Sequence, residues 1–209
     1  MGFQWIDLET WDRRKYFEHY LTDVPCTFSM TVKLDITRLR ASGQKLYPAV
    51  LFALAEVVNR HAELRMRFDE DGRLGVFDRL YPCYTVFHKD TETFSNIWTA
   101  WDGDYGHFCA AYERDLAAYG GVHRYMAKPG CPPNTFPASM VPWERFDALN
   151  LNVGNGFRYL APIFTMGRYC EENGRILMPL AVQAHHAVCD GFHVCRAVRE
   201  LRETLDALS

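Results

Sequence analysis

Reactive side chains crowd most closely at His185-His186-Ala187-Val188-Cys189-Asp190-Gly191, between a run of alternating apolar residues and a C-terminal helical stripe. Two imidazoles, a thiol and a carboxylate in so short a string admit three chemistries. A metal site would draw on His185, His186, Cys189, Asp190, His193 and Cys195, but no CxxC or HxxxH with a matched partner accompanies them, and no metal is expected. A Cys189 nucleophile would need a base beside it, and a thiol next to Val188 in so apolar a setting is raised in pKa and inert. Histidine as general base remains, because an imidazole with a reference pKa of ~6.5 suits removal of a hydroxyl proton near neutral pH. Asp190 alone reads as an N-cap, its carboxylate accepting backbone N–H bonds at the positive end of the helix dipole. Joint placement where a strand gives way to a helix makes the string a candidate site.

Periodicity supplies the elements that must position these groups. Ile176, Met178, Leu180, Val182 and Ala184 alternate along a final strand, so His186 continues their face and His185 points to the other. Val194, Val198, Leu201, Leu205 and Leu208 form the stripe of a closing helix. Residues 26–36 alternate apolar and polar without exception, a half-buried strand, and residues 47–60 read as a core-facing helix with Pro48 in its first turn. Near the N-terminus a short strand precedes a helix carrying Trp11, Arg13, Arg14, Phe17 and Tyr20, with Thr10 as its N-cap. Residues 64–68 and 73–77 flank an acidic Gly-containing turn and make a hairpin, and residues 84–88 make one more strand. Residues 101–119 read as a helix ended by Gly120-Gly121. Residues 128–137, rich in proline, read as a loop; residues 149–153 and 163–169 read as strands, and Asn173-Gly174 as a hairpin turn.

With 48% hydrophobic and 14% aromatic residues, the 209-residue chain has material for one sizeable core, and a single domain over residues 1–209 is expected. A net charge of −3 with no long run of one sign argues against nucleic acid as a partner. The most apolar window, residues 47–58, is too short to span a bilayer and contains Glu56, so no membrane partner is expected. The first thirty residues lack a basic stretch followed by an apolar one, and a cytoplasmic protein is expected. Seven cysteines with no CxxC pair make a disulfide framework improbable and read as small hydrophobes of the core.

Residues 162–194, with Phe164-Thr165-Met166-Gly167 and His185 to Gly191, closely resemble the chloramphenicol acetyltransferases of the HxxxDG type. Trp11 to Arg14, Pro25-Cys26, Asp35-Ile36-Thr37, Tyr47-Pro48, Tyr84 to His88, Thr91 to Phe94, Pro142-Trp143 and Asn150 to Asn155 fall in that family's order and spacing, so the resemblance covers essentially the whole chain. HxxxDG is shared by dihydrolipoyl acyltransferases and condensation domains; full-length register is far more specific.

The resemblance implies an α/β chain of the α+β kind, a mixed β-sheet flanked by helices in a two-layer sandwich. It implies a homotrimer with active sites between neighbouring subunits. The implied reaction is acetyl transfer from acetyl-CoA to the 3-hydroxyl of chloramphenicol in a ternary complex, conferring antibiotic resistance, with no covalent enzyme intermediate. His186 matches the family's general base and Ser139 its oxyanion donor; Thr165 matches a further polar support, and Arg13 the arginine that pairs with Asp190. For the antibiotic, Tyr20, Val24, Cys26, Phe28, Thr91, Tyr125, Met126, Leu149, Leu151, Val153 and Ile163 match pocket positions. Lys45, Arg168 and Tyr169 match coenzyme A contacts, with Tyr47 and Trp143 nearby. His19, Met126, Leu149 and Pro137 depart from residues common in better-known members, so the catalytic pieces are kept while the acceptor pocket drifts. The alternatives are an acyltransferase with another hydroxyl or thiol acceptor, and a catalytically silent antibiotic binder.

Overall fold

A computed structural model describes residues 2–153 and 158–209; positions 154 and 155 of the matched stretch Asn150 to Asn155 lie outside the described residues. The chain opens with β1 (Phe3–Trp5), α1 (Arg14–Glu18) running into a wider π turn at His19–Asp23, β2 (Thr27–Asp35), α2 (Thr37–Ala41) and α3 (Leu46–Arg60). A 3-10 turn at Ala62–Leu64 leads to the hairpin of β3 (Met66–Phe68) and β4 (Leu74–Phe77), then β5 (Tyr81–His88), β6 (Thr93–Trp98) and α4 (Tyr105–Tyr119). The last part carries β7 (Thr135–Val141), β8 (Ile163–Gly167), β9 (Cys170–Glu172), β10 (Arg175–His185) and α5 (Gly191–Ala207).

Seven of these strands make one mixed sheet in the order β2-β10-β8-β7-β5-β6, with β9 beside β10; β1, β4 and β3 make a small separate sheet. The pairs β5–β7 and β7–β8 are parallel and the rest antiparallel. Met178, Leu180, Val182 and Ala184 of β10 are buried in the core with Val50, Leu51 and Leu54 of α3 and Val198, Leu201 and Leu205 of α5. Burying each such Leu or Val contributes about 1.5–3 kcal/mol, which fixes the strand's face and so the direction in which its end projects. No helix among the described residues is long and apolar enough to cross a membrane.

The β9–β10 turn at Asn173-Gly174 has φ +52° and +73°, as a two-residue hairpin loop requires. At Gly167, a Cβ would meet Phe146 and Pro179 at 2.7 Å, so only glycine lets residue 146 pack down on β8.

Four elements differ from the expectation. Residues 149–153 are not a strand: the Leu149 N–H donates to Thr31 Oγ1 at 3.3 Å and the Leu151 N–H to Gln183 Oε1 at 2.9 Å, so the segment is hung on side chains instead of joining the ladder. The expected 128–137 loop ends earlier, because Thr135, Phe136 and Pro137 pair in register with Tyr81, Pro82 and Cys83 inside the sheet. Strand β6 was not expected, and α1 starts later than Thr10, whose hydroxyl donates to Asp7 instead of capping. The cysteines also differ: all seven are free, but only Cys189 is buried, while Cys131 and Cys195 are exposed.

Candidate active site

At the end of β10 the backbone folds into a tight turn held by His185. Its carbonyl accepts from the N–H groups of Val188 and Cys189 at 3.1 and 3.0 Å, and its Nδ1 accepts from the Ala187 N–H at 3.2 Å. His185 is 1% exposed and occupied with structure. The side chain of His186 is 28% exposed, and its N–H donates to the carbonyl of Cys26 at 2.9 Å, tying the turn to the segment before β2. Its ring lies flat on Tyr20, centroids 3.9 Å apart and planes 4° apart, with Phe28 edge-on at 5.4 Å. A two-sided aromatic seat of this kind fixes the plane of an imidazole while leaving its edge open.

Arg13 holds the rest of the turn. Its Nη1 and Nη2 donate to Asp190 Oδ2 and Oδ1 at 2.6 and 2.7 Å, a bidentate fork, while Nη2 and Nε donate to the carbonyls of His186 and Ala187 at 2.9 and 3.0 Å. The guanidinium beside Asp190 holds its carboxyl below the usual carboxylate value. Asp190 precedes α5 as the expected cap residue, but Arg13 grips its carboxylate. His186 Nδ1 lies 3.2 Å from Asp190 Oδ1, within ion-pair reach, and makes no hydrogen bond to another described residue. Cys189 is inside the turn with its thiol pushed up to about 12 by burial, unsuited to act as a nucleophile.

Ser139 and Thr165 form a second cluster. They are register partners on β7 and β8, with Oγ and Oγ1 3.2 Å apart. Their neighbours along each strand, Ala138 and Phe164, belong to the helix-side core, so alternation turns Ser139 and Thr165 to the opposite face of the sheet. Thr165 in turn pairs with Ala181 of β10. From Ala181 to His186 the strand advances about 16 Å at ~3.3 Å per residue, before any step across to β7 is counted. One chain therefore does not bring Ser139 to His186.

The expected acceptor residues divide in the same way. Tyr20 and Phe28 touch the His186 ring, and Val24 and Cys26 flank it on the same segment. Leu149 and Leu151 are anchored on Thr31 of β2 and Gln183 of β10, Ile163 pairs with Gln183, and Val153 follows on the same segment. Thr91 stands in the β5–β6 turn, and Tyr125 and Met126 line the outer edge of β6, where Asn96 bridges to Met126. Strands β10, β8, β7 and β5 separate that edge from β2.

Most expected coenzyme A residues gather toward the C-terminal ends of β5, β7 and β8. Trp143 is 56% exposed and packs edge-on to Phe87 at 4.6 Å; Arg168, exposed and in no ion pair among the described residues, donates its N–H to the carbonyl of Glu144. Arg40 lies over the ring of Tyr169 at 5.2 Å. Tyr47 is a packing residue between Tyr84 and Tyr112, its phenol pushed up by burial and donating to the Thr85 carbonyl. Lys45 pairs with Glu113 at 2.6 Å. Exposed cations and exposed flat rings in one region fit a phosphate- and adenine-bearing co-substrate. A separate cleft of about 440 Å³, lined by Phe3, Trp5, Phe68 and Phe77, includes none of the expected site residues.

Two residues of the site were not expected in these roles. Gln183 accepts from Leu151, and His193, considered above only as a metal ligand, accepts the Asp190 N–H through Nδ1 at 2.9 Å. Its place three residues after the cap was the signal in the sequence.

The sequence model described as chloramphenicol acetyltransferase matches residues 1–202. A chloramphenicol acetyltransferase from Vibrio anguillarum is 56% identical over 208 residues, covering 100% of this chain and 96% of that protein. Among solved structures, one named chloramphenicol acetyltransferase superposes with a TM-score of 0.83 at 21% identity, covering 98% of this chain and 100% of the other. A dihydrolipoamide acetyltransferase from Azotobacter vinelandii, investigated for the role of a serine, a histidine and an asparagine in its catalytic mechanism, reaches 0.67 at 15% identity, covering 88% and 84%. A family match over nearly the full length, and a relative sharing more than half its residues, place this chain in the chloramphenicol acetyltransferase family.

Proposed function

We propose that the protein transfers the acetyl group of acetyl-CoA to the 3-hydroxyl of chloramphenicol, at sites formed between neighbouring copies of a homotrimer. The observation that carries the mechanism is the seat of His186: a partly exposed imidazole, clamped flat by Tyr20 and carried on a turn that Arg13 fixes through four hydrogen bonds. An imidazole so held is pre-oriented to take the hydroxyl proton as the acceptor oxygen adds to the thioester carbonyl. Negative charge then develops on that carbonyl oxygen, and Ser139, with Thr165 behind it, supplies the hydroxyl donor; collapse of the intermediate breaks the C–S bond, and the His186 imidazolium returns its proton to the departing coenzyme A thiolate. Base and donor must both reach one reacting centre, His186 the proton of the attacking hydroxyl and Ser139 the adjacent carbonyl oxygen, each at ~2.6–3.2 Å; the offset along the sheet keeps His186 and Ser139 of one chain too far apart for that, so the base of one copy works with the oxyanion donor of the next. The same pairing brings the Tyr20–Phe28 end of one copy against the β6 edge of another and closes the acceptor pocket.

Thiol release from acetyl-CoA, followed with chloramphenicol, its 3-deoxy analogue and dihydrolipoamide, tests the reading. Release is expected with chloramphenicol alone. Release with dihydrolipoamide alone would reassign the acceptor, and chloramphenicol binding without release would make the protein a silent binder.

A further inference from the structure

We propose that His193 is a positioning residue for the catalytic turn: as a neutral imidazole with an unprotonated Nδ1, it holds Asp190 by the backbone while Arg13 holds it by the carboxylate. The proposal rests on His186 as the base and concerns what keeps that base in place. His193 is the third residue of α5, and its Nδ1 lies 2.9 Å from the Asp190 nitrogen. A ring nitrogen that accepts a hydrogen bond carries no proton, so neutral His193 must keep its proton on Nε2. Among the described residues no other acceptor is recorded for that Asp190 N–H. Asp190 is thus gripped on two sides, and the segment between it and β10 is the His186 turn itself.

Protonating His193 would set two donors against each other and release the Asp190 backbone. Asp190, with Oδ2 3.8 Å from Nδ1, and Glu63 of the 3-10 turn favour the imidazolium. Burial, Arg13 just before α1 and Arg196 of α5 oppose it, and Arg196 is itself paired with Glu63. Burial is the largest of these influences and the balance holds His193 below the ordinary imidazole value, which keeps the accepting tautomer populated at neutral pH.

Two measurements test this. In a long-range 1H–15N spectrum of the intact protein at neutral pH, His193 is expected to show an unprotonated Nδ1 and a protonated Nε2; the other tautomer, or an imidazolium, overturns the proposal. In turnover, H193L should lower kcat about tenfold, the loss expected of one hydrogen bond, with both KM values little changed. H193N places a carbonyl oxygen where Nδ1 lies and should recover most of that loss. Because Asn does not titrate, the acid limb of kcat/KM in H193N should be shallower by one proton than that of the natural protein. Equal losses in H193L and H193N, or acid limbs of equal slope, overturn the assignment. Full turnover by H186A would instead remove the base it serves, and the tautomer measurement separates the two failures.

Discussion

The two polar clusters of this chain are built in opposite ways. Around His186 the side chain is over-determined: a stacked ring, a four-bond arginine, a tight turn and a capping histidine all converge on a few residues at the end of a strand. Around Ser139 there is only an ordinary strand position with one hydroxyl neighbour, on the sheet face turned away from the helices. A base needs a fixed edge and a defined proton, whereas an oxyanion donor needs a rotatable hydroxyl on a rigid backbone, which the middle of a sheet provides.

The largest break in this comparison is at the base: H186A should lose ~10²–10⁴ in kcat, measured as thiol release, and turnover at the natural rate would falsify its role. Next comes S139A, expected to lose ~10²–10³ while acetyl-CoA and chloramphenicol still bind, as titration of the variant would report. Co-expressing the two inactive variants sharpens the contrast further. If base and donor come from different copies, random mixing leaves about one site in four with both groups intact, whereas sites within single chains would leave none. The smallest effect is on acid stability. Because Arg13 depresses the Asp190 carboxyl, the pair contributes stability above the unfolded value of 3.8 that is lost as pH falls through the lower folded value. D190N should lack that contribution, so urea midpoints of the natural protein and D190N should converge between pH 6 and about pH 3. A constant gap would remove the pair as a source of acid sensitivity.

Where burial and apolarity coincide, the sequence was transparent. The alternation from Ile176 to Ala184 and the stripe from Val194 to Leu205 located β10, α5 and the turn between them, because Met178, Leu180, Val182, Ala184, Val194, Val198, Leu201 and Leu205 are in fact buried and Ile176 packs against the same core. Strand β6 was hidden because its pattern is inverted: Ser95 is 0% exposed, its hydroxyl bonded to His88 and the Val122 carbonyl, while Phe94 is 51% exposed. Strand β7 was hidden by Pro137, a residue without a ladder donor that here stands between two parallel neighbours. Residues 149–153 misled in the other direction, with strand-like alternation and backbone donors that go to Thr31 and Gln183. His186, Asp190 and Arg13 lie together at the end of β10. The distance between His186 and Ser139 was not legible, because it depends on a strand register that no local pattern encodes.

Arg13 and the turn it grips stand 173 to 177 positions apart along the chain. During synthesis, then, Arg13 waits for nearly the entire chain to emerge before its guanidinium finds a partner. Catalytic competence is among the last properties a nascent copy acquires.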